Sequence, residues 1–507
     1  MMRIGLIPLD ERPANTRDPA LIAAAAGVTL VLPPSHLLSR QRQPADCAGL
    51  AAWLEGVAPT LDGVVVACEQ LSYGGLIAAR ISDEPAETVI QRLAVARRLR
   101  QRFPRLTIYG FSVITRVSNA NDAVEEPLYW ATYGEAIYRW SQALDQAQQG
   151  KVSVKLLAEA QQQVPADLRH DVLRRRLRNH LFNLAALHLL NDGVFDLLVL
   201  SSDDTSPFGL PSREKRWLDS WAGLLPACER LLMYPGADEV GSVLVMRMAL
   251  ARTGLQPVVT VQYAPAADRH NVAAFEDGPV TLTVERQLAA AGCRLAAAAE
   301  EADLWLGVNA PVARRAEWNP IDGPREQQIR YAAVRELVWQ AAAAMRAGQT
   351  VALADVAYPN GADPLLIGLM AAQLELPKLA AYGGWNTAGN TIGGVIAQAC
   401  AGLLGGEQHR IAQERLLLHR LVEDYGYQHL ARRELRQWLQ AAYGQPELTA
   451  ELIPLAAARV EQSLNNTIAT LPGFASRWQL LPGSVTFPWQ RTFEVDFTLQ
   501  YCAEEGR

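Results

Sequence analysis

The chain has 507 residues, about half of them hydrophobic, and its formal net charge at pH 7 is −6. This length and hydrophobic content are those of a folded globular protein with a large core, which excludes a disordered chain. The negative charge leaves no broad basic surface, which argues against nucleic acid or an anionic membrane as the main partner.

Strand-like apolar runs alternate with helical stretches from Ile4 to about Leu404, which is typical of a parallel sheet covered by helices. Ten strands are predicted, near residues 3–9, 28–32, 62–67, 106–114, 196–201, 230–234, 257–262, 303–308, 350–355 and 378–383. They fit a (β/α)8 barrel with two strands in excursions, or two five-stranded doubly wound lobes that split near residue 220. We prefer the barrel, because one rim would gather all the polar strand ends around a single site.

Two regions lie outside this alternation. Residues from about 120 to 190 are predicted as a helical insertion between the fourth and fifth strands. Residues 407–470 read as helical throughout, and Ser484 to Tyr501 alternates like one or two antiparallel strands. We therefore predict an α/β catalytic region over 1–404 and a helical and β C-terminal cap over 405–507, which would serve as a cap or as a contact in a homo-oligomer.

Polar side chains follow most of the predicted strands. Because the carboxyl ends of parallel strands are where reactive side chains collect, these residues are our candidates for binding or catalysis. In chain order they are Asp10, Glu11 and Arg12, then Glu69, then Arg116 and Asn119, then Asp203 and Asp204, then Asp238 and Glu239, and finally Trp385, Asn386 and Asn390.

The adjacent carboxylates Asp203 and Asp204 are the candidates for catalysis. Two close carboxylates in a partly buried cleft raise the pKa of one of them, so one would donate a proton at neutral pH while the other stays ionised. The alternative is that the pair forms a turn or caps the helix that opens near Pro211.

The other candidates also have structural alternatives. Arg12 could form an internal ion-pair network with Asp10 and Glu11 instead of gripping a ligand. The segment Asp238–Glu239 could cap a helix. Trp385 could belong to the core instead of forming a platform for a sugar.

Several chemistries lack the residues they need. Histidine is rare near the predicted strand ends, which disfavours a Ser-His-Asp triad and a histidine-rich zinc centre. Lysine is absent from those loops, which disfavours Schiff-base and pyridoxal phosphate chemistry, and no phosphate-cradling glycine motif is present. Carboxylates, amides, tyrosine, arginine and tryptophan remain, an inventory that is typical of carbohydrate sites.

Compartment and redox state are predicted from simple signals. The N-terminus enters a predicted strand directly, without the features of a secretion signal, and no apolar run reaches the ~20 residues that cross a bilayer. We therefore expect a cytoplasmic protein. The six cysteines are scattered without a Cys-x-x-Cys, which predicts free thiols.

Four segments carry a resemblance that spans nearly the whole chain: Ile7–Pro13, Ser202–Gly209, Ala354–Gly361 and Gly384–Asn390. They resemble a bacterial family catalogued as a domain of unknown function, which implies no activity. The Asp203–Asp204 pair with the later Trp385–Asn386 is also similar to barrel hydrolases that remove N-acetylglucosamine by substrate-assisted catalysis. That similarity implies that Asp203 orients the 2-acetamido group, that Asp204 is the general acid/base, and that Asn386 contacts a hydroxyl or the acetamido group.

Our leading hypothesis is a glycoside hydrolase for small saccharides, N-acetylhexosaminides among them, that needs no cofactor. The first alternative is a hydrolase or isomerase that depends on Mg²⁺ or Mn²⁺. Its oxygen ligands would come from Asp10, Asp203, Asp204, Asp238 or Glu239. The second alternative is a sugar-binding protein without catalysis.

Overall fold

A computed structural model describes residues 2–203, 205–298 and 301–502. Its contacts divide the chain into two compact units. Unit 1 consists of Met1–Glu11 and Thr29–Val245, and unit 2 consists of Arg12–Val28 and Met246–Arg507. The division lies at residue 245, whereas the sequence analysis placed boundaries at 404 or, for two lobes, near 220.

Unit 1 is built on a six-stranded sheet in which every neighbouring pair is parallel. In spatial order its strands are β2 (Thr29–Val31), β1 (Arg3–Ile7), β3 (Gly63–Ala67), β4 (Thr107–Ile114), β5 (Leu197–Ser202) and β6 (Leu231–Pro235). All residues of β3 and β5 are buried, which is why these strands appear in the sequence as continuous apolar runs. The strand order reverses between β1 and β3, and ligands of doubly wound proteins bind at such a switch point.

Helices surround the unit 1 sheet and fill the predicted insertion between β4 and β5. Those inside the unit are α2 (Cys47–Val57), α3 (Cys68–Ser72), α4 (Leu76–Ile81), α5 (Ala86–Arg92), α6 (Ala94–Arg102), α7 (Trp130–Gln148), α8 (Val154–Gln162), α9 (Ala166–Asn191) and α10 (Leu210–Ala222). Helices α7, α8 and α9 occupy the insertion. Helix α11 (Val240–Thr253) contains the division between the units.

Unit 2 has a second parallel sheet of five strands. Its spatial order is β11 (Ala381–Gly383), β10 (Thr350–Asp355), β9 (Leu304–Asn309), β7 (Val258–Ala264) and β8 (Arg294–Leu295). When the strands of each sheet are numbered in chain order, the first five strands of unit 1 and the five strands of unit 2 both have the spatial order 2-1-3-4-5. The switch point of unit 2 therefore lies between β7 and β9.

The C-terminal segment shares the core of unit 2. Leu353 and Tyr382 of the sheet belong to the same buried cluster as Leu464, Trp478 and Phe497. The helices of this unit are α1 (Arg17–Ala25), α12 (Val280–Ala291), α13 (Gly323–Arg346), α14 (Pro364–Gln373), α15 (Ala388–Gly405), α16 (Arg410–Leu421), α17 (Arg432–Tyr443) and α18 (Ile453–Thr470). A π-helical segment, Val422–Ala431, joins α16 to α17, and β12 (Trp478–Leu480) pairs antiparallel with β13 (Leu499–Tyr501).

The predicted α/β class with parallel sheets is confirmed, and each of the ten predicted strands forms. The preference for a barrel was wrong, because the strands form two open sheets. Within the described residues, the edge strands β2 and β6 do not pair with each other, nor do β8 and β11. Alternation of strands and helices predicts parallel pairing, but it does not predict whether a sheet closes.

The cysteines and the length of the apolar helices were also predicted from the sequence. The six cysteines are free, as predicted. No described helix combines the length and the apolar character required to cross a bilayer.

Candidate active site

Asp203 follows β5 directly and pairs with the guanidinium group of Arg80 on α4. Arg80 Nη1 also donates to Glu125 Oε2 at 2.8 Å and lies 3.8 Å from Glu126 Oε1. Arg116, which lies beyond the end of β4, donates to the same Glu125 oxygen at 2.9 Å. We call these five residues the Arg80 cluster. Arg80 lies on α4, and the other four residues lie beyond the carboxyl ends of β4 and β5.

The cluster is buried on one side and open on the other. The Arg80 side chain is 3% exposed and that of Glu126 is 6% exposed. Asp203 and Arg116 are more accessible, at 16% and 38%. A polar ligand could therefore approach Asp203 from solvent while Arg80 stays fixed beneath it.

The carboxyl groups of the cluster differ in proton affinity. Burial raises the pKa of Glu126 to about 7, against the opposing effect of Arg80 and Arg116. Burial also acts to raise the pKa of Asp203, but the positive charges of Arg80 and Arg116 outweigh it, and the pKa lies below its usual value. At neutral pH one carboxyl group is therefore ionised while the other retains a proton for part of the time, a division that acid/base catalysis uses.

A double-glycine turn positions Arg80. Gly74 and Gly75 have φ angles of +87° and +122°, and their amides both donate to the Glu69 carbonyl oxygen. A Cβ atom at Gly74 would lie 2.6 Å from the backbone nitrogen of Ala45, so no larger residue fits. The turn ends α3 and begins α4, which carries Arg80 on its last turn.

The residues after β3, at the switch point of unit 1, are buried and polar. Glu69 is 1% exposed, and its Oε1 accepts hydrogen bonds from Ser112 Oγ at 2.6 Å and from the Val113 amide at 2.9 Å. Burial raises the pKa of Glu69 to about 7. Glu69 Oε2 and both amide atoms of Gln70 have no hydrogen-bond partner within the part of the chain that the structure describes.

The segment Asp10–Glu11–Arg12 is divided between the two units. In unit 1, Asp10 is buried, and Glu11 accepts hydrogen bonds from Ser39 Oγ and from the Gln41 amide. In unit 2, Arg12 donates to Glu494 Oε1 at 3.0 Å, and its guanidinium carbon lies 4.6 Å from the centre of the Trp489 ring.

The remaining described candidates of unit 1 are not part of the Arg80 cluster. Asn119 is exposed on the segment after β4. Asp238 and Glu239 are buried after β6, and Glu239 Oε2 accepts a hydrogen bond from the Ala237 amide at 3.1 Å. Asp204 lies outside the described residues, so its acid/base role stays a prediction.

The capping alternative fails for Asp203. Helix α10 begins at Leu210 and its N-cap residue is Gly209. The Leu210 and Gly209 backbone amides donate to Ser141 Oγ and Asp145 Oδ2, at 2.8 and 3.0 Å. Asp203 pairs with Arg80 instead.

Trp385, Asn386 and Asn390 belong to unit 2, whereas Asp203 belongs to unit 1. The Trp385 side chain is buried and its ring centre lies 5.9 Å from that of Phe493. Asn386 has a φ angle of +70°. The backbone N–H of Asn390 donates to the hydroxyl of Thr387, the N-cap residue of α15. The predicted set is therefore distributed over both units, and of its members that the structure describes, only Arg116 and Asp203 join the Arg80 cluster.

Sequence reasoning missed Arg80, Glu125 and Glu126. Arg80 is the one charged residue of a helix that is otherwise apolar, Leu76–Ile81, and a charge in such a helix needs a buried partner. That signal could have identified it. Glu125 and Glu126 lie in irregular chain between β4 and α7, where no periodicity marks them.

A second group of buried polar residues lies at the strand ends of unit 2. Asn309 donates to Asp355 Oδ1 at 2.8 Å and to Asp363 Oδ2 at 3.1 Å, and Arg330 donates to Asn309 Oδ1 at 2.8 Å. The Asp363 amide and the Tyr382 hydroxyl donate to Asp355 Oδ2. These groups bond to one another, which indicates a structural network; Arg330 Nε has no hydrogen-bond partner among the described residues.

The last feature of the described residues is their capacity to hold a metal ion. In residues 2–203, 205–298 and 301–502, no three or more His, Cys, Asp or Glu side chains are grouped so that they could hold a metal ion.

Fold and site together define a class: an α/β protein of two doubly wound units, one of which carries a cluster of carboxylates around a buried arginine. The family model described as "Protein of unknown function (DUF4127)" matches residues 4–498, and the chain belongs to that family. This confirms the resemblance to a family of unknown function. Comparison with curated proteins and with solved structures gave no match.

Proposed function

We propose that this protein is a glycoside hydrolase for small saccharides and that the Arg80 cluster is its catalytic centre. The observation that carries the proposal is that one buried guanidinium group contacts three carboxylates, of which Asp203 has a lowered pKa and Glu126 a raised one. Glycoside hydrolysis needs both a carboxylic acid and a carboxylate beside the scissile bond.

The two roles follow from the two environments. Glu126 would give its proton to the leaving glycosidic oxygen as the bond to the anomeric carbon breaks. Asp203, held ionised by Arg80, would stabilise the positive charge that develops on the sugar ring, or orient an acetamido group that does so. Water then adds to the anomeric carbon and returns a proton to the enzyme. Asp204, which follows Asp203 in the chain, is the other candidate for the acid.

Uncommitted polar groups support a polar substrate near the same strand ends. The hydroxyl groups of Ser201 and Ser202, at the end of β5, are buried and have no hydrogen-bond partner in the described part of the chain. The side-chain amide of Gln70, after β3, is also buried without a hydrogen-bond partner among those residues. Buried polar groups normally find a partner, and sugar hydroxyls would supply one.

The test is a panel of 4-nitrophenyl glycosides, N-acetylhexosaminides included, with the full-length protein. If one is hydrolysed, Asp203→Asn and Glu126→Gln should each lower kcat by roughly 10²-fold or more, as expected when an acid/base group is lost. Glu214→Gln is the matched control, because Glu214 is also a buried carboxylate paired with a buried arginine, Arg176, but lies outside the cluster. It should retain the activity of the folded protein.

Other results would favour the alternatives. Activity that EDTA abolishes and Mg²⁺ or Mn²⁺ restores would indicate the metal-dependent enzyme. Saccharides that raise the melting temperature without being hydrolysed would indicate a binding protein. Equal losses of kcat in all three variants would remove the Arg80 cluster from the mechanism.

A further inference from the structure

Unit 2 contains a pocket of about 730 Å³, a volume that small-molecule sites commonly have. One wall is formed by the end of the π-helical segment and by α17. The opposite wall is formed by two loops, residues 317–320 and 359–362. π-helical turns are frequent at functional sites.

Three arginines line the helical wall of this pocket: Arg432, Arg433 and Arg436. Arg436 pairs with Glu447, and Arg432 Nη1 lies 4.0 Å from Glu317 Oε1, the carboxylate on the opposite wall. Arg433 has no carboxylate partner among the described residues. The pocket therefore has a positive charge that the described chain does not neutralise.

Two residues that line the pocket also carry a buried donor without an acceptor. Trp318 Nε1 and Arg432 Nε have no hydrogen-bond partner within the described ranges. The Arg433 guanidinium carbon lies 5.4 Å from the centre of the Trp318 ring, so the unneutralised charge and one unused donor are neighbours. The atoms themselves are buried, so a ligand in the pocket would meet the charge of Arg433 and the face of Trp318 before either donor.

The kind of charge selects the kind of ligand. Guanidinium groups present planar, forked donors that bind the oxygens of a phosphate in pairs, and they keep their charge at every physiological pH. The wall that faces them includes Trp318, Pro320 and Pro359, which offer flat apolar surface for the body of a ligand.

We propose that this pocket binds a phosphorylated small molecule. Its phosphate group lies among Arg432, Arg433 and Arg436, and its body lies against Trp318 and the prolines. The proposal does not depend on the proposed glycosidase activity, because its residues belong to unit 2 and those of the Arg80 cluster to unit 1.

Isothermal titration calorimetry of the full-length protein tests this proposal with glucose 6-phosphate and AMP, and with glucose, adenosine and glucuronate as comparisons. We expect at least one phosphorylated compound to bind with a Kd of 1 mM or lower, while its parent without phosphate does not bind. Arg433→Gln should weaken that binding by roughly tenfold or more, since it removes charge-assisted hydrogen bonds. Trp318→Phe keeps an aromatic ring but offers less flat surface, and it should weaken binding by a smaller factor.

Arg335→Gln is the matched control. Arg335 also lies over an aromatic ring, 5.8 Å from the centre of Tyr331, but it is exposed on α13 outside the pocket. The Arg335→Gln variant should bind the phosphorylated compound as tightly as the wild type does. The proposal is overturned if neither phosphorylated compound binds, if Arg433→Gln binds as tightly as Arg335→Gln, or if glucuronate binds as tightly as glucose 6-phosphate. Binding of single-stranded RNA without binding of either small phosphate would also overturn it and assign the pocket to a macromolecule.

Discussion

At the scale of single residues, the surroundings of the carboxyl groups in unit 1 give them different pKa values and therefore different protonation states. Arg80 and Arg116 lower the pKa of Asp203, whereas burial raises that of Glu69 against only the hydrogen bonds it accepts. Glu69 Oε2 has no hydrogen-bond partner in the part of the chain that the structure describes, which suits a protonated carboxyl group. Burial therefore favours the neutral form of Glu69, whereas its hydrogen bonds from Ser112 and Val113 on β4 favour the ionised form, and burial has the larger effect.

This raised pKa predicts how stability depends on pH. The pKa of Glu69 rises from 4.5 to about 7 on folding, so between these values the folded protein holds a proton that the unfolded chain has lost. The contribution of Glu69 to the unfolding free energy is therefore fully present below pH ~4.5 and is lost as pH rises through ~7. Glu69→Gln mimics the protonated form and should remove this loss, which is about 3 kcal/mol.

Urea unfolding of the wild type and of Glu69→Gln between pH 4.5 and 8 checks this expectation. The difference in unfolding free energy between the two proteins should shift in favour of the variant from pH 4.5 to ~7 and level off above that. Parallel curves would show that Glu69 is ionised in the folded protein throughout.

At the scale of elements, a single short turn determines where Arg80 lies. Helix α4 has six residues, too few to be stable by itself, so its position depends on the Gly74–Gly75 turn and on packing. Because Gly74 has a positive φ angle and lies against the backbone of Ala45, a side chain at this position must displace main chain.

We expect Gly74→Ala to destabilise the protein more than Gly193→Ala. Both glycines have positive φ angles, +87° and +70°, but nothing lies within 4 Å of a Cβ atom at Gly193. The control should cost only the left-handed backbone conformation, about 1–2 kcal/mol, and Gly74→Ala should add the steric displacement to that cost. Unfolding free energies from urea titration measure both, and equal losses would show that the Ala45 backbone yields without cost.

At the scale of the whole molecule, the first 28 residues contribute to both units. Strand β1 lies between β2 and β3 in unit 1, while α1 belongs to unit 2. In unit 2, Arg17 on α1 pairs with Glu423 at 2.7 Å, and Asp18 pairs with Arg420 at 3.0 Å. Neither unit is therefore one continuous stretch of chain.

Deletion of residues 1–28 should destabilise both units at once. Unit 1 loses the strand that joins β2 to β3, and unit 2 loses partners of buried charges, whose removal typically costs several kcal/mol. Hydrogen exchange compared between the full chain and the deletion should show lost protection in β3 and in α16. Loss confined to one of these elements would show that the other unit folds without its N-terminal piece.

The ten strands, their parallel pairing and two members of the candidate site could be predicted from the sequence, for physical reasons. Buried strands of a parallel sheet need continuous apolar runs, and β3, β5 and β9 have them. Asp203 and Arg116 were found because they follow such runs closely. Membership of a family of unknown function was likewise predicted without knowledge of the fold.

Tertiary structure alone decided how the strands are ordered and which side chains meet. Two open sheets and a closed barrel have the same local alternation of strands and helices, because the difference lies in long-range pairing at the sheet edges. Arg80, Glu125 and Asp203 are far apart in the chain and meet only after β3, β4 and β5 have paired side by side. The sequence by itself determined the elements and the charges, whereas the partner of each buried charge depended on which strands became neighbours.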